Sequence, residues 1–411
     1  MVWLKRLVLS GSCGAIASSF FNLSTLIAKE DEFKKNLQLH QVQVIFRHGA
    51  RTPVYSHKIE NTSFTDAIWD KEKLSKTLDH CNIPFSLRLN SGKICKEISL
   101  DNVYQDRPKL TGGMTVGQLT TVGQQQAYDL GQLFNKEYIQ KFQLLSDHYL
   151  HSEVRVQSTN VRRTILTARS VVAGMYGKSN IKETLIINTM PFEEEYLLPN
   201  WSHCLRLKDR FEFLQKYMKY LPSQDEVLYF NRLIENTDQE NMIQFVPLHD
   251  IMVCREAHGF EVPKELKKVE KHLVRRASEN QARILGGKDI DALRMSCGNL
   301  LNEFCEVMEQ AVKDNHPYKM NLYSAHDTTL NALLMAFGKW DRYSWPRFAS
   351  YIAFELYKHK EDDKHYVRVV YNKKSLLLDQ ETNAEYIPLE RFFELLKKYR
   401  VKDWKTYCQR K

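Results

Sequence analysis

Residues 42–53 read Val-Gln-Val-Ile-Phe-Arg-His-Gly-Ala-Arg-Thr-Pro, an apolar run followed at once by a histidine between two arginines. The apolar part, residues 42–46, is short and rich in β-branched side chains, which is typical of a buried strand. Arg47 and Arg51 keep their charge and can hold phosphate oxygens in pairs, whereas His48 can act as a covalent nucleophile. The segment therefore predicts a phosphoryl-binding loop after a strand. A surface loop with two solvated arginines is the alternative.

A second strand–loop–helix unit contains the pair His326-Asp327. The apolar run from Met320 to Tyr323 leads into the pair, and apolar residues at helical spacing follow it as far as Gly338, a typical helix stop. This layout repeats that of the first motif. Taken alone the pair is a weak signal, because Asp327 can simply cap the helix.

A third unit, residues 153–164, reads Glu-Val-Arg-Val-Gln-Ser-Thr-Asn-Val-Arg-Arg-Thr. The pattern predicts a strand that runs into a helix capped by Asn160. Arg162 and Arg163 fall in the first turn of this helix, where the helix dipole disfavours cations. Binding an anion is one reason for cations there, and a surface ion pair is the other.

These motifs have the order and spacing found in the histidine acid phosphatases, a branch of the histidine phosphatase superfamily, which the chain resembles from about residue 40 to about residue 400. The run 117–124, Gly-Gln-Leu-Thr-Thr-Val-Gly-Gln, opens a helix and also fits this family. Within the family, residues 112–114, 322–327 and 345–349 are most similar to members that hydrolyse lysophosphatidic acid.

The resemblance implies a role for each matching residue. His48 would be the nucleophile that forms a phosphohistidine, and Asp327 would protonate the leaving alkoxide. The phosphate clamp would consist of Arg47, Arg51, Arg163 and His326. Fixed arginines supply the charge neutralisation that phosphoryl transfer needs. We expect no metal and no other cofactor, since the histidines and cysteines show no ligand spacing.

The chain departs from the family at one position near the clamp. Many members carry an arginine where this chain has Gln157, just before Ser158. Arg162, next to Arg163, is a candidate to replace that cation.

The fold class predicted is α/β, with a mainly parallel central sheet flanked by helices, of the phosphoglycerate-mutase-like type. Parallel strands joined by helices are the basis for this, and the expected strands are 41–46, 152–158, 184–188 and 319–324. Residues 349–357 and 365–371 read as an antiparallel hairpin at the end of the sheet. A helix follows Pro388. The catalytic loops are expected at the carboxyl edge of the sheet.

The domain organisation follows from these elements. The α/β core is assigned to residues 38–55, 117–190 and 315–400. Residues 56–116, irregular and polar, and residues 191–314, mostly helical, are insertions that the resemblance implies form a cap. The run 263–283 is basic and could dock on an anionic membrane, although an ordinary solvated helix face is the simpler interpretation.

Composition limits the function further. At 411 residues with 43% hydrophobic and 11% aromatic content, the chain is long and apolar enough for a large globular core. The net charge of +9 suits an anionic substrate. Basic residues are dispersed with no recognition-helix signature, so we expect no nucleic-acid partner. We expect a monomer.

The N-terminal segment, residues 1–30, reads as a targeting leader with no acid before Glu30. We expect a mitochondrial location, with the secretory pathway or lysosome as the alternative. Of eight cysteines, removing a leader with Cys13 leaves seven, which favours free thiols. Two glycosylation sequons, at Asn61 and Asn200, favour the secretory alternative only weakly.

The expected substrate is lysophosphatidic acid, cleaved to monoacylglycerol and phosphate. A broad-specificity or inositol-phosphate phosphatase is the first alternative. A non-catalytic lipid- or phosphate-binding protein on the same fold is the second alternative. Such a protein would be expected to lack His48 or Asp327, and this chain has both. A lipid substrate needs an apolar channel beside the arginines. Candidate channel residues are Trp69, Met114, Tyr196, Leu197, Leu198 and Trp201.

Overall fold

The computed structural model describes residues 32–55, 62–64, 67–95, 107–218, 223–237 and 243–410. The predicted leader and the first sequon, at Asn61, lie outside these residues. Among the described residues, no helix is both long and apolar enough to cross a lipid bilayer. Within the same ranges, no three His, Cys, Asp or Glu side chains converge as a possible metal site.

A single mixed sheet forms the centre of the molecule. Its strands are β1 (Leu37–Arg47), β2 (Phe85–Leu89), β3 (Val154–Ser158), β4 (Leu185–Thr189), β5 (Met320–Ala325), β6 (Tyr351–His359), β7 (His365–Tyr371), β8 (Lys374–Ser375) and β9 (Ile387–Pro388). The order across the sheet is β2-β4-β3-β5-β1-β6-β7-β8, and β9 pairs with β7. The strands β1 to β5 pair in parallel, and β6 and β7 form an antiparallel hairpin beside β1. The predicted α/β sheet and hairpin are confirmed.

Strand β1 lies in the middle of the sheet because both of its faces are apolar. Val42, Val44 and Phe46 pack into one core layer, while Ile45 packs into the other. Strands covered on both faces read as continuous apolar runs rather than as alternating patterns. The strand therefore ends, at Arg47, in the interior of the molecule.

Helices cover both faces of the sheet. They are α1 (Lys71–Leu74), α2 (Thr121–Phe134), α3 (Arg162–Tyr176), α4 (Leu205–Met218), α5 (Ser223–Leu233), α6 (Phe245–Ala257), α7 (Lys264–Lys268), α8 (Glu270–Leu285), α9 (Ile290–Val312), α10 (Asp327–Ala336), α11 (Leu389–Lys397) and α12 (Trp404–Tyr407). Helices α2 and α3 pack on one face, and α9, α10 and α11 on the other. Helices α5 to α8 share a separate apolar cluster, which is the helical cap.

Parts of both predicted insertions pack with the sheet. Residues 85–89, expected to be irregular, form the edge strand β2, which pairs in parallel with β4. Its sequence, Phe-Ser-Leu-Arg-Leu, alternates apolar and polar side chains as a half-buried strand does, so a local strand signal was present and was overlooked. Helix α9 packs its apolar face, including Leu300 and Phe304, directly against the sheet.

Helix α3 begins differently from the sequence-based expectation. Its N-cap residue is Val161, which makes no side-chain cap bond, so the predicted cap at Asn160 is wrong. The first turn contains no acidic side chain. The two arginines of this turn, Arg162 and Arg163, are therefore not balanced within their own helix.

The cysteines also differ from expectation. Cys204 and Cys408 form a disulfide across 204 residues of sequence, and the described Cys81, Cys254, Cys297 and Cys305 are free thiols. A pairing between such distant positions has no local signal, which is why free thiols were expected. The sequon residue Asn200 is 1% exposed, and its side-chain amide donates to the carbonyl of Phe192 at 2.7 Å. The folded chain therefore offers no acceptor nitrogen there.

Candidate active site

One pocket of about 270 Å³ lies at the carboxyl edge of β1, β3 and β5. All six predicted site residues line it. His48, Arg47 and Arg51 come from the end of β1, His326 and Asp327 follow β5, and Arg163 opens α3. The parallel strands bring together motifs that are more than 270 residues apart. Their individual roles stay predictions.

His48 is 1% exposed and has a defined proton arrangement. Its Nδ1 lies 2.8 Å from the carbonyl oxygen of Gly49, and because a carbonyl only accepts, Nδ1 must carry the proton. Burial, together with the charges of Arg163 and Arg51, holds the pKa of His48 well below its usual range. The ring is therefore neutral, and Nε2 keeps its lone pair.

The loop after β1 requires glycine at position 49 because another backbone approaches it. A Cβ on Gly49 would lie 2.1 Å from the carbonyl oxygen of Gly123, in the first turn of α2. A Cβ on Gly123 would in turn lie 2.0 Å from the carbonyl oxygen of Ala50. This mutual contact fixes the loop that carries His48 against the start of α2.

Arg47 is held on several sides within the core. Its Nη2 lies 2.8 Å from Oδ2 of Asp327, and its Nη1 donates to the carbonyl of Pro346 at 2.6 Å. Its guanidinium carbon stands 4.2 Å from the ring centre of Phe348. These contacts fix the fork of the guanidinium, so that little conformational entropy is lost when it binds phosphate.

Arg51 is held by the cap. Its Nη2 donates to Oδ1 of Asp250 in α6 at 2.8 Å, and the other oxygen of Asp250 accepts from the backbone N–H of Val54 at 2.9 Å. Burial lowers the pKa of Arg51, but Asp250 outweighs it and raises the value. The sequence analysis missed Asp250, whose only signal is an acid within the apolar run Pro247–Met252.

The two ring nitrogens of His326 contact Arg163 and Thr159. Arg163 Nη2 lies 3.4 Å from Nδ1 of His326, which must accept because guanidinium only donates. Nε2 of His326 then carries the proton and donates to Oγ1 of Thr159 at 3.0 Å. Both ring nitrogens are engaged within the protein. Direct donation from His326 to phosphate stays a prediction.

Asp327 is the first residue of α10 and lies opposite His48. Its Oδ1 accepts from the backbone N–H of Thr328 at 2.8 Å, and its Oδ2 accepts from Nε1 of Trp345 at 3.0 Å. Burial alone would raise the pKa of Asp327, but the charges of Arg47 and Arg51 outweigh it and lower the pKa to about 2. The carboxylate is therefore ionised when no other anion occupies the pocket. The indole of Trp345 was also missed.

The structure shows where Gln157 lies, the position at which many family members carry an arginine. Gln157 is fully buried and donates to the hydroxyl of Tyr196 at 3.0 Å, outside the pocket lining. Arg162 is exposed and does not line the pocket, so the structure does not place it in the clamp. Arg107 lines the pocket instead, from the first insertion. This residue was not expected.

Part of the pocket lining is apolar. Of the proposed channel residues, Leu198 and Trp201 line the pocket. Trp69 and Met114 belong to a separate buried cluster, and Leu197 lies in the main core. Further apolar lining residues are Val161, Phe192, Pro199, Val246 and Val253. The pocket lining therefore combines cationic and apolar side chains.

The chain belongs to the histidine phosphatase superfamily (branch 2), whose profile matches residues 38–372. It is a phosphatase of the histidine acid phosphatase type. Over 342 residues it is 30% identical to the lysophosphatidic acid phosphatase type 6 of Homo sapiens, covering 82% of this chain and 78% of that protein. It is 28% identical over 315 residues to the prostatic acid phosphatase of Homo sapiens, covering 71% and 79%.

Solved structures support the fold. A Hafnia alvei phytase in complex with tartrate matches with a TM-score of 0.60 at 13% identity, over 92% of this chain and 99% of that one. The phytase of Citrobacter braakii matches with a TM-score of 0.55 at 16% identity, over 90% and 99%. At these identities the likeness shows a shared fold.

Proposed function

We propose that the protein hydrolyses lysophosphatidic acid to monoacylglycerol and phosphate. The observation that carries this is the mixed pocket lining, in which apolar side chains such as Leu198 and Trp201 accompany the arginines. An acyl chain needs such apolar groups, whereas a small phosphate ester does not. The similarity to lysophosphatidic acid phosphatase type 6 supports the same substrate.

The reaction proceeds in two steps in this proposal. Nε2 of His48 attacks phosphorus, the ester bond breaks, and the leaving oxygen takes a proton from Asp327. Water then attacks the phosphohistidine and passes a proton to the Asp327 carboxylate while the P–N bond breaks, which releases phosphate and restores the lone pair on Nε2 of His48. The neutral ring of His48 and the position of Asp327 against Arg47 support this assignment.

The proton on Asp327 must arrive with the substrate, since the pKa of this carboxyl is about 2 when the pocket holds no other anion. A phosphate monoester loses its second proton near about pH 6, so its monoanion supplies that proton only in mild acid. We expect kcat/KM on glycerol 3-phosphate to fall as pH rises above about 6. Because the pKa of His48 is lowered, its ring stays neutral and nucleophilic at pH values below about 6 as well. A profile that climbs steadily from acid to pH 8 would contradict this.

The apolar lining can be tested at Leu198. Leu198→Ser is expected to raise KM for oleoyl-lysophosphatidic acid about tenfold, the cost of losing part of one buried leucine contact. Turnover of glycerol 3-phosphate, which has no acyl chain, should stay within about twofold. Leu205→Ser is the matched control, because Leu205 is 38% exposed and does not line the pocket. Equal losses on both substrates in Leu198→Ser would reject an apolar lining for the acyl chain.

The substrate assignment itself is tested by phosphate release, without added metal, from four esters in parallel. These are oleoyl-lysophosphatidic acid, glycerol 3-phosphate, inositol hexakisphosphate and p-nitrophenyl phosphate. A large preference for the lysolipid over glycerol 3-phosphate supports the proposal. Equal rates on the small esters would support the phosphatase assignment and reject the lysolipid as its substrate. No release from any of them would favour the non-catalytic alternative.

Membrane contact and cellular location are also proposals. In the basic run 263–283, Lys267 pairs with Glu256, and Arg276 pairs with Glu226. These pairs favour a solvated helix face over a membrane-docking surface. A mitochondrial location remains the proposal, and the disulfide supports the secretory alternative, since disulfides persist in oxidising compartments.

A further inference from the structure

A second pocket, of about 590 Å³, adjoins the candidate active site on the outer side of α3. Five cationic side chains line it, and we call it the arginine pocket: Lys71, Arg107, Arg162, Arg163 and Arg169. None of its lining residues in the described part of the chain is an aspartate or a glutamate. A cavity with this many cations and no carboxylate attracts anions.

Arg169 is the central observation. It is only 6% exposed, and among the described residues no carboxylate contributes to the charges that shift its pKa. Its Nη2 makes one long hydrogen bond, 3.4 Å to the hydroxyl of Thr77, and its buried Nε has no hydrogen-bond partner. Its guanidinium carbon lies 5.7 Å from the ring centre of Phe85 in β2. A buried arginine without an anion is costly, so the arrangement is one that an anion would stabilise.

Within the described part of the chain, the neighbours of Arg169 do not supply that anion. Burial lowers the pKa of Arg169, Cys81 raises it, and the like charge of Arg162 lowers it further. The pKa of the Cys81 thiol is itself raised by burial, so this group is neutral. The local field at Arg169 is therefore positive.

The sequence of α3 explains why these cations share one surface. Arg162, Leu166 and Arg169 are spaced by four and three residues, which puts them on one face of a helix. Arg163 lies beside this stripe at the first turn and reaches the active site. The face joins two pockets, with Arg107 and Val161 also shared between them.

We propose that the arginine pocket is a second phosphate-binding site next to the catalytic one. Its ligand is a phosphate dianion held by Arg169 and Arg162 while the catalytic clamp holds another. The dianion has two possible sources: the second phosphate of a bisphosphorylated substrate, or free inorganic phosphate. Arg163 and Arg169 are six residues apart, roughly 9 Å along the helix, a distance that a short bisphosphate can span. The site does not depend on lysophosphatidic acid being the substrate.

The test combines binding and kinetics on the full chain. Inorganic phosphate is titrated calorimetrically into the wild type and into Arg169→Gln. In parallel, kcat/KM is measured for a series of alkanediol bisphosphates and their matching monophosphates. Lys178→Gln is the control, since it removes one exposed cation just beyond α3 and outside both pockets. Arg162→Gln is a second variant at an exposed position, used if Arg169→Gln proves unstable in a thermal melt.

We expect two bound phosphates in the wild type and one in Arg169→Gln, with monophosphate turnover unchanged. If the source is the substrate, the best bisphosphate should also exceed its monophosphate by about tenfold in kcat/KM, a preference lost in Arg169→Gln but kept in Lys178→Gln. Two bound phosphates without that preference would assign the site to free phosphate. A single bound phosphate in the wild type, with no bisphosphate preference, would overturn the proposal. Because monophosphate turnover is measured separately, this failure is distinct from a failure of the catalytic assignment.

Discussion

Replacing His48 with alanine is expected to reduce phosphate release by at least about 10³-fold on every monoester, while the chain stays folded. The reason is that the ring of His48 is neutral and lies among the arginines that would bind phosphate, whereas both ring nitrogens of His326 are engaged within the protein. Among the residues that the structure describes, the His48 side chain hydrogen-bonds only the adjacent Gly49 carbonyl, so its loss removes little tertiary structure. Steady-state rates and thermal melts measure the two parts of this expectation.

A covalent intermediate adds a sharper check on His48. If one phosphoenzyme forms from all substrates, methanol and water should share its phosphate in the same ratio for every leaving group. The wild type is assayed with p-nitrophenyl phosphate and glycerol 3-phosphate in aqueous methanol. A partition ratio that differs between the two esters would point to direct attack by water. Residual turnover within tenfold of wild type in His48→Ala would remove the nucleophile assignment.

The second large effect is expected at Asp327. Asp327→Asn should slow alkyl phosphates by roughly 10²–10⁴-fold, because an alkoxide needs a proton as it leaves. p-Nitrophenyl phosphate should lose much less, since its leaving group is stable without one. Part of the loss will be common to both esters, because the carboxylate also holds Arg47 at 2.8 Å. The acid role is measured by the difference between the two esters.

The variant Trp345→Phe tests the hydrogen bond that holds the Asp327 carboxylate separately from proton transfer by that carboxylate. It removes the 3.0 Å hydrogen bond from Nε1 to Asp327 and leaves the carboxyl group in place. We expect a modest loss, similar for alkyl and aryl phosphates. Equal losses on both esters in Asp327→Asn as well would show that Asp327 is not the acid for the leaving group.

The cap takes part in the phosphate site and does not merely cover it. Asp250 in α6 holds Arg51, and Arg107 from the first insertion lines both pockets. The ion pair between Arg51 and Asp250 is nearly buried, with side-chain exposures of 7% and 9%. Removing one partner of such a pair leaves an uncompensated buried charge. Helix α6 and the first insertion therefore contribute to the electrostatics of the pocket.

Features that depend on residues close in sequence were predictable. Strand β1 and the turn after it follow from residues 42–53, because an apolar run and the arginines around His48 are a local pattern. The helix after His326-Asp327 and its stop at Gly338 follow from periodicity. The resemblance to the histidine acid phosphatases then brought the separate motifs into one site, which the parallel sheet confirms geometrically.

Features that depend on contacts between distant segments were not predictable. The edge strand β2 alternates locally, as Phe-Ser-Leu-Arg-Leu, but its parallel pairing joins Phe85 to the distant Leu185 and has no local signal. Asp250, Trp345 and Arg107 acquire their roles only through the residues they meet, and the Cys204–Cys408 disulfide joins segments 204 residues apart. Which residue pairs with a charged side chain depends on which distant segments the fold brings together. The sequence by itself thus determined which groups are candidates for the reaction. The tertiary structure decided their protonation, the contacts that hold them and the second cluster of cations, because burial and neighbouring charge exist only once the chain is folded.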